Sequence, residues 1–287
     1  MLARALARLQ YLLPRYGLTA LVYRIARIRQ RGFKDFLIRR FIRLYAVDTA
    51  DVADGIPDDF PTFNDFFTRA LKDGARPVDT AADSIVSPCD GTLSQAGAID
   101  GSAILQAKGF TYTPDELLAI DLDTARRFHD GSFATIYLAP YDYHRVHAPL
   151  GGRLVAAHYV PGDLFSVNTT TASIIPGLFR RNERLVLHLE TAYGPAAIVM
   201  VGALNVGSIT TPWTGEIRPR QRGLAQALDL DAASVDVDKG ALLGWFNMGS
   251  TVILLLPPGA CSWHEELATG TSLRMGEAIG RLAKPGP

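Results

Sequence analysis

Cysteine is scarce in this sequence. Cys89 and Cys261 are the only two, and they lie far apart and outside any metal-ligand spacing. A disulfide framework or a zinc site therefore has little support. No secretory signal is recognisable either, because the N-terminus lacks an uninterrupted apolar core and a small-residue cleavage site. These absences favour a reducing, cytoplasmic setting.

Long apolar runs are also missing. No stretch of about 18 uncharged apolar residues is present to span a bilayer. Internal repeats and low-complexity tracts are absent, which argues against a solenoid. With 287 residues, of which 48% are hydrophobic and 20% charged, the chain has the composition of one large globular domain or of a domain with an added segment.

Acidic residues are almost absent from the first 45 positions. Eleven Lys/Arg residues face one acid, Asp35, which gives this segment ten net positive charges, although the whole chain has a formal net charge of zero. Apolar residues recur there at helical spacing, in three groups: Leu2, Leu6, Leu9 and Leu13; Leu18, Leu21, Ile25 and Ile28; Phe33, Leu37, Phe41 and Leu44. This spacing predicts three short amphipathic helices with breaks at Pro14 and Gly32.

Three interpretations of this basic segment differ in what the helices contact. Apolar faces with many arginines suit helices that lie on an anionic membrane surface. A helical cap packed on the protein core is the alternative, although a merely solvated face usually mixes both signs of charge. Nucleic-acid binding is the third, and no motif for it accompanies the charge. We therefore expect residues 1–50 to be a membrane-association segment, and the chain to be a peripheral protein on the cytoplasmic face of the cell membrane.

The remainder of the chain has a different texture. An acidic, Pro-containing connection begins near residue 46 and leads to a short helix expected around 63–71. Short apolar runs typical of strands follow at 84–86, 103–106, 133–138, 154–160, 185–190, 196–201 and 252–256. One helical interlude is expected near 114–128, capped by Thr113. We therefore predict the α+β class, with a β-rich, sandwich-like or barrel-like body over residues 51–287 and a helical N-terminal attachment.

Three short segments supply the side chains of a nucleophile, a base and an acid. Ser250 follows Gly249 directly before an apolar run, His144 and His147 lie three residues apart, and Asp90 stands in a Gly-containing turn. Each segment alone has an ordinary explanation. The Ser250 segment can be a β-turn, the two histidines can be structural, and the Asp90 segment can be a hairpin turn. A metal site on the two histidines lacks a third ligand at matching spacing, so we predict no metal.

Together these segments resemble the phosphatidylserine decarboxylases, in particular the bacterial membrane-associated type that depends on a pyruvoyl group. The matching residues are Met248-Gly249-Ser250-Thr251, the run from Asp142 to His147, Asp90-Gly91, Gln106-Ala107-Lys108-Gly109, and the segments 159–168 and 179–184. The resemblance covers residues 5–275. Met248 departs from it, because the family usually has leucine there, but the two side chains are similar in volume.

The resemblance implies that the chain is a zymogen that cuts itself between Gly249 and Ser250. The products would be a β chain of residues 1–249 and an α chain of residues 250–287, with Ser250 converted to a covalent pyruvoyl group. His147, oriented by Asp90, would take the proton of Ser250 as its hydroxyl attacks the Gly249 carbonyl. The mature lyase would decarboxylate phosphatidylserine to phosphatidylethanolamine in phospholipid biosynthesis, with His144 as the acid that protonates the product.

Partners and substrate contacts complete these expectations. The implied partners are phosphatidylserine, an anionic membrane surface, the other chain of the same precursor and a second αβ unit in a homodimer; we expect no nucleic acid. Phe165 and Ser166 are expected to position the lipid headgroup, although a Gly-Asp turn followed by a buried Phe explains that loop as well. A Ser-His-Asp lipid hydrolase is the rival enzyme, but Ser250 lacks a Gly-x-Ser-x-Gly elbow. A β-rich membrane-binding module is the non-enzymatic alternative.

Overall fold

The computed structural model describes residues 2–107, 109–220, 223–230 and 235–283. Its helices are α1 Leu2–Leu9, α2 Arg15–Ala26, α3 Arg31–Tyr45, α4 Phe63–Phe67, α5 Pro114–Leu118, α6 Leu122–Arg126, α7 Thr169–Ala172 and α8 Leu178–Arg181. Its strands are β1 Ser84–Val86, β2 Gly91–Ala98, β3 Ile104–Ala107, β4 Phe110–Tyr112, β5 Ser132–Tyr137, β6 Arg145–His147, β7 Gly152–Val160, β8 Arg184–Thr191, β9 Gly194–Val201, β10 Ile209–Thr211, β11 Gly215–Ile217, β12 Gln226–Ala227, β13 Val235–Val237, β14 Leu242–Phe246, β15 Thr251–Leu256, β16 Cys261–Trp263, β17 Ser272–Leu273 and β18 Ala278–Leu282.

Antiparallel sheets make up the body. The largest has nine strands, in the order β12-β7-β8-β9-β15-β5-β2-β17 with β13 also paired to β7. A four-stranded sheet has the order β11-β10-β14-β6, a three-stranded sheet the order β1-β18-β16, and β3 and β4 form a separate pair. The α+β class with a β-rich body is confirmed. The seven strand-like runs of the sequence correspond to β1, β3, β5, β7, β8, β9 and β15.

Strand β15 lies inside the nine-stranded sheet, between β9 and β5. All six of its residues are buried, which explains why the run is apolar at nearly every position instead of alternating. Residues of the four-stranded sheet, such as Leu243 and Phe246 of β14, belong to the same hydrophobic core as β15. The link from β14 to β15 therefore passes from one sheet to the other across a shared core.

Two of the predicted helices differ from expectation in extent. The helix expected over 63–71 ends at Phe67; Thr62 caps it by accepting a hydrogen bond from the Asp65 N–H at 3.2 Å. The interlude expected over 114–128 is two helices, α5 and α6. They are separated at Ala119, which has a φ of 52° in the left-handed region that ends many helices.

The three N-terminal helices are present, with one predicted break confirmed and one wrong. Helix α2 begins directly after Pro14, as expected. The second break lies between Ala26 and Arg31, and Gly32 is inside the first turn of α3. The side chain of Gln30 accepts a hydrogen bond from the Phe33 N–H and so begins the helix before the glycine.

These helices pack on the body as a cap. Gln10, just after α1, is buried; it donates to Thr171 Oγ1 at 3.3 Å and accepts from the Ser166 N–H at 2.8 Å. Arg15 forms an ion pair with Asp163 at 2.8 Å. Helix α3 is held by aromatic packing, with the Phe41 ring 5.1 to 6.4 Å from the rings of α4 phenylalanines. These contacts show that the inner side of the helices packs on the body, as the cap interpretation expects.

The opposite side of the helices faces outward and forms what we call the outer helical surface. Its exposed apolar residues are Leu9, Tyr11, Leu12, Leu21, Ile28, Phe33, Phe36, Leu44 and Tyr45. Exposed arginines interleave with them, at positions Arg4, Arg8, Arg24, Arg29, Arg39, Arg40 and Arg43. In the described part of the chain, no helix is both long enough and apolar enough to cross a bilayer.

Candidate active site

The Gly249–Ser250 bond lies in the short link between β14 and β15. Ser250 is fully buried, and its carbonyl accepts a hydrogen bond from the Leu138 N–H at 2.8 Å. Its hydroxyl oxygen has no hydrogen-bond partner among the described residues. A buried hydroxyl without a partner is uncommon in a folded chain, and a catalytic role is one explanation for it.

His144 lies beside this bond. Its imidazole is buried and stacks on the Phe67 ring, with 4.0 Å between ring centroids and 18° between planes. A methyl group built on Gly249 would lie 3.8 Å from His144 Cε1. Burial, helped by the positive charge of Arg69, lowers the pKa of His144 to about 3. The ring is therefore neutral at pH 7.

Hydrogen bonds fix the loop that carries His144. Asp142 Oδ2 accepts from the Ala139 N–H at 2.7 Å, which closes the turn after β5. Arg69 is buried and donates to the carbonyls of Tyr141 and Asp142 at 3.2 and 3.3 Å. Burial raises the pKa of Asp142 to about 6. The position of His144 thus depends on a turn and on a guanidinium from the segment after α4.

His147 is held by other partners. Its Nδ1 lies 2.8 Å from the Gly240 carbonyl, and its Nε2 lies 3.2 Å from the Tyr143 hydroxyl. A carbonyl can only accept, so Nδ1 carries the proton and Nε2 is the basic nitrogen. Burial lowers the pKa of His147; the hydrogen bond to the Gly240 carbonyl opposes that effect, and the charge of Asp90 opposes it to a smaller extent. The ring therefore presents a neutral base with its lone pair toward Tyr143.

Asp90 binds Arg76 instead of a histidine. Arg76 Nε lies 2.9 Å from Oδ1 and Nη2 lies 2.7 Å from Oδ2, a bidentate pair, and the Met275 N–H donates to Oδ1 at 2.9 Å. The His147 N–H donates to the Pro88 carbonyl at 2.7 Å, so the histidine and aspartate segments are neighbours. The structure brings His144 to Gly249, the residue before Ser250, and it shows no hydrogen bond from His147 to Asp90 or Ser250 within the described residues.

A cavity of about 200 Å³ opens at the Gly249–Ser250 bond. Its walls are Phe41, Tyr45, Phe67, Tyr137, Leu138, Pro140, Ser166, Val167, Ala203, Leu204, Asn205, Met248, Gly249 and Ser250. None of these described wall residues is charged, so the walls offer no cation to a carboxylate that enters. Two wall residues, Phe41 and Tyr45, belong to α3 of the cap.

Of the two residues expected to position a lipid headgroup, the structure brings one to the cavity. Ser166 lines it. Phe165 is fully buried elsewhere, with the Arg15 guanidinium 4.0 Å above its ring. Its N–H donates to Asn182 Oδ1 at 3.0 Å and its carbonyl accepts from Asn182 Nδ2 at 2.8 Å, so its backbone is not free to bind a ligand.

Sequence reasoning missed two residues that shape the site. Phe67 supports His144 and lines the cavity; the density of aromatic residues in Phe63-Asn64-Asp65-Phe66-Phe67 was the available signal. Arg76 holds Asp90, but it lies in a connecting segment without any motif. No local pattern distinguishes such a cation from a solvated one.

Comparison with known proteins adds two family matches and close relatives. Residues 63–281 match the family described as phosphatidylserine decarboxylase, and residues 6–46 match a second family described as PSD. A phosphatidylserine decarboxylase proenzyme of Methylococcus capsulatus is 47% identical over 274 residues, which is 96% of this chain and 95% of the relative. Proenzymes of the same name from Saccharophagus degradans and Pseudomonas fluorescens are 46% and 47% identical, covering 96% and 94% of this chain and 96% and 95% of their own length.

Proposed function

This chain belongs to the phosphatidylserine decarboxylase family, and on that premise we propose that it is a proenzyme that cuts itself between Gly249 and Ser250 and then decarboxylates phosphatidylserine to phosphatidylethanolamine. One observation of the structure supports the cleavage site above others. The Ser250 hydroxyl is buried without a partner, directly after a glycine and at the wall of a cavity.

Maturation begins with attack of Ser250 Oγ on the Gly249 carbonyl carbon. A C–O bond forms, the C–N bond breaks, and the hydroxyl proton passes to the freed amine, so that the amide becomes an ester. Removal of the Ser250 α-proton then expels the Gly249 carboxylate and leaves dehydroalanine. Hydrolysis releases ammonia and leaves a pyruvoyl group on residue 250. The sequence consumes one water in total and requires no oxidant.

We assign the proton acceptor for the first step to His147, with Asp90 as the group that supports its charged form. The unprotonated Nε2 is the correct atom for this role. To reach Ser250, the ring must leave Tyr143 and Gly240, and Asp90 must share its carboxylate between Arg76 and the imidazole. Ser250, His147 and Asp90 are then the maturation residues.

The pyruvoyl ketone supplies the electron sink that decarboxylation of an α-amino acid needs. The residues around Ser250 fit this group, because the buried hydroxyl faces a cavity without charged walls. An uncharged wall favours loss of carbon dioxide, since it does not stabilise the carboxylate. We assign protonation of the product carbon to His144. Because its ring is neutral at pH 7, it acts as a relay: one ring nitrogen gives its proton to the carbon, and the other takes up a proton from solvent water. Ser166 contacts the headgroup from the facing wall.

The intact mass of the freshly purified, denatured protein tests the cleavage. We expect two chains that meet after Gly249, the smaller one lighter by one ammonia than a serine-started peptide. Ser250→Ala should leave one uncut chain. A single full-length mass for the unaltered protein would contradict the proposal and favour the lipid hydrolase, which keeps its chain intact.

Two histidine variants separate the assigned roles. His147→Ala should remain uncut, whereas His144→Ala should be cut and fail to release carbon dioxide from phosphatidylserine. The reverse pattern would transfer the maturation role to His144, the histidine that already lies beside Gly249.

Membrane association is the second part of the proposal. The outer helical surface combines exposed apolar side chains with unbalanced arginines, as binding to anionic lipid requires, and α3 of this cap also lines the cavity. We propose that residues 1–50 dock the site on the cytoplasmic face of the membrane as a peripheral segment of a catalytic unit over 51–287. A homodimer of αβ units is proposed from the family resemblance.

Point substitutions test the docking without removing cavity walls. Leu12, Phe36 and Leu44 are 81%, 61% and 61% exposed, so their combined change to Ser leaves the core intact. We expect this triple variant to bind anionic vesicles less well than the unaltered chain, whose binding should weaken with added salt. Leu122→Ser, at a 59% exposed leucine of α6, is the matched control. Equal vesicle binding by all three proteins would defeat the docking proposal. The proposed homodimer is tested separately, by measuring the molecular mass in solution with light scattering.

A further inference from the structure

The backbone is strained next to the bond proposed to break. Met248 has a φ of 104°. At this angle the Cβ atom of any residue other than glycine is crowded against the neighbouring backbone. A residue keeps such a backbone conformation only where the surrounding structure holds it there. Among the described non-glycine residues with positive φ, Met248 lies furthest from the tolerated left-handed region; the others fall between 50° and 69°.

The chain is fixed immediately before Met248. Asn247 is buried, and its side-chain amide donates to Ser208 Oγ and Thr210 Oγ1, both at 2.8 Å. Its Oδ1 accepts from Asn64 Nδ2 at 3.0 Å. Its backbone N–H and carbonyl bond to Ser208 and Gly207 at 2.9 and 3.0 Å. Five hydrogen bonds thus hold one residue to the segment 207–210, which leads into β10, and to α4.

The chain is fixed again immediately after Gly249. The Ser250 carbonyl is bonded to Leu138, and Thr251 pairs with Tyr137 on one side and Val201 on the other, inside the nine-stranded sheet. No backbone hydrogen bond among the described residues involves Met248 or Gly249. These two residues are a bridge between fixed points in different sheets, and the unusual φ is the result.

We propose that the strain held at Met248 accelerates self-cleavage. This inference rests on the proposed maturation. In the peptide, the main chain from the Gly249 carbonyl carbon to Ser250 Cα passes through one atom, the nitrogen. In the ester it passes through two, Oγ and Cβ. The first step therefore lengthens the bridge by one bond, which allows Met248 to relax, and scission then releases it completely. Relief on the way to the ester lowers the barrier to the first step.

Substitution at residue 248 separates strain from side-chain packing. Met248→Ala removes the side chain but keeps the Cβ atom that causes the strain, whereas Met248→Gly removes that atom as well. The two variants differ by one methyl group, which makes alanine the matched control. Met248→Leu retains both strain and bulk. The rate of conversion of full-length chain to cut chains is followed during cell-free synthesis, by gel and intact mass.

We expect Met248→Gly to be cut about tenfold more slowly than Met248→Ala, a factor within the range of strain at such positions. Met248→Leu keeps the Cβ atom and should therefore be cut faster than Met248→Gly. Equal cleavage rates for Met248→Gly and Met248→Ala, or a faster rate for Met248→Gly, would overturn the strain inference. Either result would leave the proposed self-cleavage standing. Failure of the unaltered chain to be cut would instead refute the proposed maturation.

Thermal unfolding of uncut chains gives an independent readout. In a Ser250→Ala background, relief of strain should make Met248→Gly melt about 2–4 °C above Met248→Ala. Glycine normally lowers stability through the entropy of the unfolded chain, so a higher melting temperature has strain as its source. A lower or equal melting temperature for the glycine variant would overturn the inference, whatever the cleavage rates.

Discussion

The buried state of His144 has a measurable consequence for the pH dependence of stability. The perturbation is His144→Phe in the uncut Ser250→Ala chain, which keeps an aromatic ring against Phe67 but removes the titrating group. The His144 pKa is about 3 in the folded chain and about 6.5 in an unfolded one. Between these values the unfolded chain binds more protons than the folded chain, so stability is lost as the pH falls.

The expected size follows from these two values. Between pH 6 and pH 4.5 an unfolded histidine is mostly protonated, whereas buried His144 stays neutral. The chain with His144 should therefore lose about 2 kcal/mol more unfolding free energy over this interval than the phenylalanine variant does. The interval is well above the folded pKa, so the result depends mainly on the ring being neutral.

Urea denaturation of both uncut proteins at several pH values measures this difference. Contributions from other titrating groups are shared by the two chains and cancel in the comparison. Above pH 7.5 the difference in unfolding free energy between the two proteins should not change with pH, which is the internal control. Parallel pH dependences from pH 6 to 4.5 would show that the ring titrates in the folded chain as it does in water, and would refute the argument from burial.

Further variants of the uncut chain test other contacts of the site and core. Arg76→Met should cost about 3 kcal/mol in urea denaturation, because it leaves the nearly buried carboxylate of Asp90 without its bidentate partner; an unchanged midpoint would mean that the ion pair does not hold this residue. Gln106→Leu should cost about 3 kcal/mol, since the buried amide makes three hydrogen bonds of 2.8 Å to backbone groups of residues 172–178; a loss below 1 kcal/mol would contradict that accounting. In the chain that can mature, Phe67→Leu should lower decarboxylation more than cleavage, because the histidine that stacks on it is assigned to the second reaction; equal losses would argue for a general structural role.

Much of the body was predictable because its strands carry a strong local signal. The run from Val252 to Leu256 is continuously apolar, and a strand in the middle of a covered sheet requires that pattern. The N-terminal helices were predictable from their spacing for the same reason. Gly32 was misplaced because a glycine is tolerated in a first turn when a capping side chain, here Gln30, defines the start.

The site was less predictable than the strands. Gly249 and His144 are close in space because a turn after β5 and the link before β15 meet, which no local pattern encodes. Phe165 is a buried support in a loop whose sequence also suits ligand binding, and only its packing against Arg15 distinguishes the two. The ion pair of Asp90 with Arg76 is equally non-local. The roles of Asp90 and His147 stay predictions until their variants are measured.

Because β15 lies between β9 and β5, the proposed cut would turn refolding from a process within one chain into an association of two chains. The residues after the proposed cut contribute β15 to the middle of the nine-stranded sheet, β17 to its edge beside β2, and β16 and β18 to the sheet with β1. Before cleavage, folding is an event within one molecule, because the covalent link keeps β15 near its neighbours at high effective concentration. After cleavage, a denatured enzyme can regain its fold only when two separate polypeptides meet. We therefore expect recovery of the cut enzyme to depend on protein concentration and recovery of the uncut precursor to be independent of it.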